Sequence, residues 1–206
     1  MKVLEIIKIN KTKYKVLCED NVVFSLYISE LKNLSIETGS DISDEKFAYI
    51  KDEILYKRCK EYCLHLLESS DKTECQIRTK LREKFFEASI IEKTIDFLKK
   101  YNYIDDIRYI ENYINLYKSS KSMKIISRDL LKKGINLNEM KKESQSLCEI
   151  DNEENERIQV INLLTKKKYS TLSGNPNERR KIIAYILRRG YSYELICSCI
   201  REEFAE

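Results

Sequence analysis

Two adjacent aspartates, Asp105 and Asp106 in YIDDIRYI, come nearest to the paired carboxylates that acid–base catalysis needs. Neighbouring positions on a helix point about 100° apart, so these carboxylates do not converge on one atom. They suit the opening of a helix better, one as cap and one at the positive end of the dipole. Cys59 and Cys63 lie one helical turn apart with His65 nearby, and Cys197 and Cys199 form C-x-C, which are ingredients of a zinc site. No CxxC pair occurs, and Cys59 continues an apolar stripe through Leu55, Tyr62 and Leu66. The seven cysteines (18, 59, 63, 75, 148, 197 and 199) therefore read as small buried hydrophobes. His65, the single histidine, sits within the helical YCLHLL and reads as structural. With glycine only at 39, 134, 174 and 190, neither GxxxxGK[ST] nor GxGxxG can be written. No catalytic residue, metal or cofactor is expected.

What remains is charge on a helical frame. The 206 residues carry a net charge of +4, unevenly spread. Residues 118 to 142 hold eight Lys/Arg against two acids, and residues 157 to 190 hold nine against one; between them, residues 143 to 156 hold six acids and no base. Such basic fields suit a long polyanion or a protein filament assembled on one. No run approaches the roughly 20 apolar residues of a membrane span, and MKVLEIIKIN lacks the features of a signal peptide, so a cytoplasmic chain without membrane contact is expected.

The elements that must position these charges are mostly helices, since four glycines and one proline leave little punctuation. The first thirty residues differ. Residues 2 to 9, then Tyr14, Val16 and Cys18, then Phe24, Leu26 and Ile28 alternate as three short strands, with CEDNV as a tight turn: a small antiparallel meander that needs a helix over one face. From about Ser43 the period is helical. Thr73 is a candidate cap, Asp151 or Asn152 another, and Asn175, Pro176 and Glu178 form a strong helix start.

One phrase is written twice, as DLLKKGIN and YILRRGYS. With Gly134 placed on Gly190, Ile126, Leu130, Ile135 and Met140 fall on Ile182, Ile186, Tyr191 and Ile196; upstream, Ile77, Leu81, Phe86 and Ile91 repeat the spacing around Phe85. Each copy follows another amphipathic helix: Leu55 to Leu66, then Ile107, Ile110, Ile114 and Tyr117, then Ile158, Ile161 and Leu164. The unit is three helices, and the chain has three. Basic residues in a last turn followed by Gly also make an ordinary helix end, so LKKG and LRRG have a purely structural reading. Phe85 lacks the glycine, so its helix is expected to end differently.

These repeats resemble the RecX family of bacterial recombinase regulators, which pairs an L-R-x-K-G motif with a later Y-[IL]-D-D. The matching residues are Leu81, Arg82 and Lys84, then Tyr103, Ile104, Asp105 and Asp106, and the likeness spans about residues 50 to 204. Phe85 departs from the family glycine, and Ile110 stands where the family usually has Ala. The resemblance implies an elongated, curved body of tandem three-helix, helix-turn-helix-like repeats; with the meander and the three units read above, the chain divides into meander and linker at 1–42, then repeats at 43–103, 104–150 and 151–206. It implies a monomeric, non-enzymatic modulator of recombination, DNA repair and the SOS response. Such a protein binds the RecA filament on single-stranded DNA and mostly inhibits its ATPase, strand exchange and assembly. The rival reading is a stand-alone DNA-binding helical module. Either way the candidate contacts are Lys124, Arg128, Lys132 and Lys133, with Arg179, Arg180, Arg188 and Arg189; Asp105, Asp106, Gly134 and Gly190 are read as architectural.

Overall fold

Alternating apolar residues build three antiparallel strands, β1 (Val3–Lys8), β2 (Lys13–Cys18) and β3 (Val23–Tyr27), paired in that order with Val16 opposite Ile6 and Phe24. In this computed structural model, residues 1–148, 153–169 and 175–204 are described. Between β2 and β3 the chain turns tightly through Asp20 and Asn21, both in the left-handed region that these residue types tolerate. Ile28, expected to end the third strand, instead opens a short helix, α1 (Ile28–Asn33). The Glu30 carboxylate accepts from the Tyr27 amide at 2.7 Å, so a capping interaction overrides the alternation.

A sheet this small needs cover. It comes from α2 (Asp44–Tyr49), which the Ser43 hydroxyl caps by accepting from the Lys46 amide. The helix runs without a break through a π-helical stretch, Ile50–Leu55, into α3 (Tyr56–Ser69). That wider stretch keeps Ile50, Leu55, Cys59 and Cys63 all buried although the first two are five residues apart. Phe47 packs on Phe24 of the sheet, with ring centroids 5.8 Å apart. Two further helices, α4 (Glu74–Glu83) and α5 (Ala88–Lys100), complete a compact unit, Met1–Asp105, around one core that includes Val16, Phe24, Leu26, Ile77, Leu81 and Ile95. Thr73 caps α4 as expected, in a reciprocal box with Gln76.

The second compact unit, Asp106–Glu206, contains α6 (Asp106–Tyr117), α7 (Met123–Leu131), α8 (Leu137–Glu143) and α9 (Gln145–Cys148), followed by α10 (Glu153–Lys166), α11 (Pro176–Arg188) and α12 (Tyr193–Glu203). It has two apolar clusters. One gathers Ile110, Ile114, Ile126, Leu130 and Ile135; the other gathers Val160, Leu164, Ile182, Ile186, Tyr191 and Ile196. Asn175 caps α11 by accepting from the Glu178 amide, with Pro176 next, as expected. The cap expected at Asp151 or Asn152 lies outside the described residues.

Three expectations are corrected. Of the stripe expected on α10, Leu164 is buried and Ile161 packs half-buried against the same core, but Ile158 is 49% exposed, and Gln159 and Val160 face inward instead. Cys75 is exposed, although Cys18, Cys59, Cys63 and Cys199 are buried as expected. Finally, α4 ends as the other copies do. Phe85 adopts φ 62°, beside 83° at Gly134 and 93° at Gly190, and the Phe86 amide donates back to the Leu81 carbonyl just as Ile135 donates to Leu130. Left-handed geometry costs a non-glycine residue roughly 1–2 kcal/mol. Here it turns Phe86, Ile90 and Ile91 into the core, and burial of one such side chain is worth about as much or more.

Candidate functional site

The basic surface of the second unit is organised by a junction between its two apolar clusters. Ser122 precedes α7, and its Oγ both accepts from the Ile125 amide at 3.4 Å and donates to the Arg189 carbonyl at 2.9 Å. Gly190 comes directly after that carbonyl. A Cβ there would lie 2.4 Å from Ser122 Oγ and 3.2 Å from Ile125 Cγ1, so the two segments meet where only hydrogen fits. Beside this contact, the Gln159 side chain donates from Nε2 to the Lys118 carbonyl at 2.6 Å and accepts from the Tyr191 hydroxyl. Glu156 Oε1 accepts from the Met123 amide at 2.5 Å. Burial pushes the Tyr191 phenol up, the Glu156 carboxylate adds to this, and Arg189 opposes it. Each of these polar groups is paired, as a buried junction demands.

This junction sets which candidate cations stand together. Lys124 is exposed, and its Cβ lies 3.4 Å from the position a Gly190 Cβ would take, so it stands beside the chain that has just passed through Arg188 and Arg189. Arg128 comes one turn along α7, on the same exposed face. Among the described residues, Lys124, Arg128 and Arg188 have no acidic partner, and the Arg189 guanidinium lies over the Tyr185 ring at 4.8 Å. The other candidates sit apart from this group. Lys132 and Lys133 are about 12 Å along the α7 axis from Lys124; Lys132 is 3.9 Å from Asp129, and Lys133 lies over the Tyr109 and Tyr113 rings. Arg179 and Arg180 are at the opposite end of α11 from Arg188, with Arg179 over the Tyr169 ring at 5.1 Å and its Nε buried without a hydrogen-bond partner among the described residues. Arg180 is exposed.

Ser122, Glu156 and Gln159 are residues that sequence reasoning misses. Ser122 carries a signal, a serine immediately before an apolar-periodic run. Gln159 carries none, because a polar residue on a buried face is invisible to apolar periodicity.

Asp106 opens α6 and Asp105 precedes it. His65 points outward and meets Glu68 at 3.2 Å, away from the buried Cys59 and Cys63. The Cys59 thiol and burial together push the Cys63 thiol up, so Cys63 is held neutral. Among the described residues, no three His, Cys, Asp or Glu side chains gather to hold a metal ion, and no helix is long and apolar enough to cross a membrane.

Comparison with known proteins agrees with this architecture. Residues 59–98 match the family model described as RecX, first three-helix domain, and residues 154–200 match that for RecX, third three-helix domain. The regulatory protein RecX of Clostridium beijerinckii is 30% identical over 206 residues, covering 98% of this chain and 94% of that protein. That of Clostridium acetobutylicum is 32% identical over 198 residues, covering 94% and 87%. Among solved structures, a regulatory protein RecX matches with a TM-score of 0.55 over 96% of this chain and 98% of its own, at 19% identity. RecX from Lactobacillus salivarius matches at 0.57 over 71% and 95%, at 23% identity. At such identities the structural likeness speaks for the fold.

Proposed function

The chain belongs to the RecX family of regulatory proteins, and from that premise we propose that it binds the RecA–single-stranded DNA filament and restrains its ATP hydrolysis, strand exchange and assembly. The observation that carries this reading is the junction at Gly190. It brings the backbone just after Arg188 and Arg189 against Lys124, with Arg128 one turn along α7, so cations of two different repeats share one region of the second unit, and Lys124, Arg128 and Arg188 lack an acidic partner among the described residues. Unpaired exposed cations add little to folding, whereas held in one place they create a local field for a polyanionic partner. Contacts of this kind steer association and weaken with salt. Lys133 and Arg179, half-buried against tyrosines, belong to the fold more than to this surface.

The test adds the protein at substoichiometric amounts to preformed recombinase filaments and measures DNA-dependent ATP hydrolysis and strand exchange. Both are expected to fall. No change in either, together with tight binding to naked DNA, would instead establish the stand-alone DNA-binding module. Reversing both charges, Arg188→Glu with Arg189→Glu, is expected to weaken filament binding about tenfold or more. Stability should fall by less than binding: reversal loses the Tyr185 contact and puts two acids at the end of α11, but Ser122 bonds the backbone carbonyl of residue 189 and not its side chain.

A further inference from the structure

The first compact unit contains a pocket of about 450 Å³ where the β1–β2 turn and the end of β3 face α3 and the end of α4. Three cations line it. Arg58 is already committed: it donates to the Ser25 carbonyl at 2.9 Å, pairs with Glu30 and stacks over the Tyr27 ring at 4.5 Å. Lys13 and Lys84 are not, since among the described residues neither has an ion pair or hydrogen bond through its ammonium group. Lys84 approaches the Tyr62 ring, at 5.8 Å. Lys13 is half-buried; burial, then the Arg58 and Lys84 charges, lowers its pKa, with Glu30 opposing. The fold thus holds two like charges at one hollow, neither of them in an ion pair among the described residues. Asn10 fixes the rim, its Oδ1 accepting from the amides of Thr12 and Lys13 at 3.0 and 2.9 Å.

The charges at the pocket decide what would suit it. Glu30 offsets Arg58, and the exposed Glu61 on the lining offsets one lysine, so about one positive charge is left. That matches a singly charged phosphodiester better than a doubly charged terminal phosphate. The walls beside the lysines are the rings of Tyr27 and Tyr62, which a carboxylate side chain would not use and a base would. The volume also lies toward the small end of ligand sites, roughly 300–1,000 Å³, as one nucleotide requires.

We propose that this pocket takes one nucleotide of a single-stranded nucleic acid, its phosphodiester between Lys13 and Lys84 and its base against Tyr27 and Tyr62. The site lies in a different unit from the basic surface around Gly190 and does not depend on the filament reading. A phosphate held here places the meander itself on the nucleic acid, giving the N-terminal sheet a role besides covering the first repeat.

The experiment uses the full chain without recombinase. A labelled 12-nucleotide oligothymidine is titrated by anisotropy across a salt series, and a 5-iodouracil version is photocrosslinked and mapped by mass spectrometry. Crosslinks at Tyr27 or Tyr62 are expected. The Lys13→Gln, Lys84→Gln double variant is expected to lose about fivefold or more in affinity at low salt, and to flatten the salt slope by about 0.7, the value for one phosphate contact on a single strand. Its thermal midpoint should match the parent, since neither lysine has an ionic partner to lose among the described residues. Unchanged affinity and slope, or crosslinks confined to residues 106–206, would overturn the proposal. So would a polyglutamate peptide that binds through these two lysines where the oligonucleotide does not, which would make the pocket a peptide site. Because no filament is present, failure here leaves filament regulation standing, and failure there leaves this site.

Discussion

The first and third repeats end their second helices at equivalent positions with opposite residue types. Phe85 and Gly190 both take the left-handed conformation, at φ 62° and 93°. Phe85 is 41% exposed, its ring under the Lys15 ammonium at 4.7 Å, with room for a large side chain. Gly190 has no room for a methyl group, because Ser122 and Ile125 of the preceding repeat are against it. The same backbone turn is thus imposed in both places by the next residue, Phe86 or Tyr191, which must enter the core. The glycine in the third repeat answers a second demand, close approach between neighbours, which the first repeat does not make at this position.

That contrast can be broken at its strongest point first. Gly190→Ala combines left-handed strain with overpacking and is expected to cost about 2–4 kcal/mol, measured by urea unfolding. Ser122→Ala comes next. It removes both the cap on α7 and the bond to the Arg189 carbonyl, and should cost about 1–2 kcal/mol. If the two residues act through one contact, the double variant will cost less than the sum of the singles, since alanine at 122 removes the oxygen that the new Cβ strikes. Additive losses would show that strain alone makes Gly190 necessary.

Smaller changes convert one repeat toward the other. Tyr191→Phe gives the third repeat the residue the first has at Phe86, but leaves Gln159 Oε1 without its donor. A loss of about 1 kcal/mol is expected in thermal or urea unfolding. Phe85→Gly makes the opposite conversion and should be nearly neutral, within about 1 kcal/mol. Relief of left-handed strain is offset by the greater freedom of the unfolded chain and by loss of the Lys15 contact. A large stabilisation by Phe85→Gly would mean that the first repeat tolerates a real burden at this turn.

The same contrast explains what can be read from sequence. Apolar spacing around Phe85, Gly134 and Gly190 locates the second helix and the buried side chains of each repeat, because burial repeats with the helix period. It misjudges the end of α4, where local preference for glycine yields to the tertiary demand of Phe86. It misplaces the inward face of α10, because Gln159 is buried by virtue of two hydrogen bonds and in spite of its polarity. Of the eight basic candidates, spacing gives no means to tell Lys124, which meets the third repeat, from Lys133, which lies on its own tyrosines. Contacts between repeats depend on the angle at which helices meet, and one-dimensional periodicity does not record it.

The π-helical stretch Ile50–Leu55 has a consequence for how this chain tolerates insertions and deletions. It holds one residue more than an α-helix needs to connect Tyr49 with Tyr56 in phase. Deleting one exposed residue there, such as Glu53, would restore an ordinary helix with Tyr49 and Tyr56 still in phase, so Phe47 would keep its place on Phe24 and Ile50 its place in the core. A deletion within the regular turns of α3 has no such slack and would rotate everything before it by about 100°. The wide turn is therefore the point at which this continuous helix can lose a residue and still serve both the sheet and the first repeat, and a deletion in α3 should be far more damaging than one here.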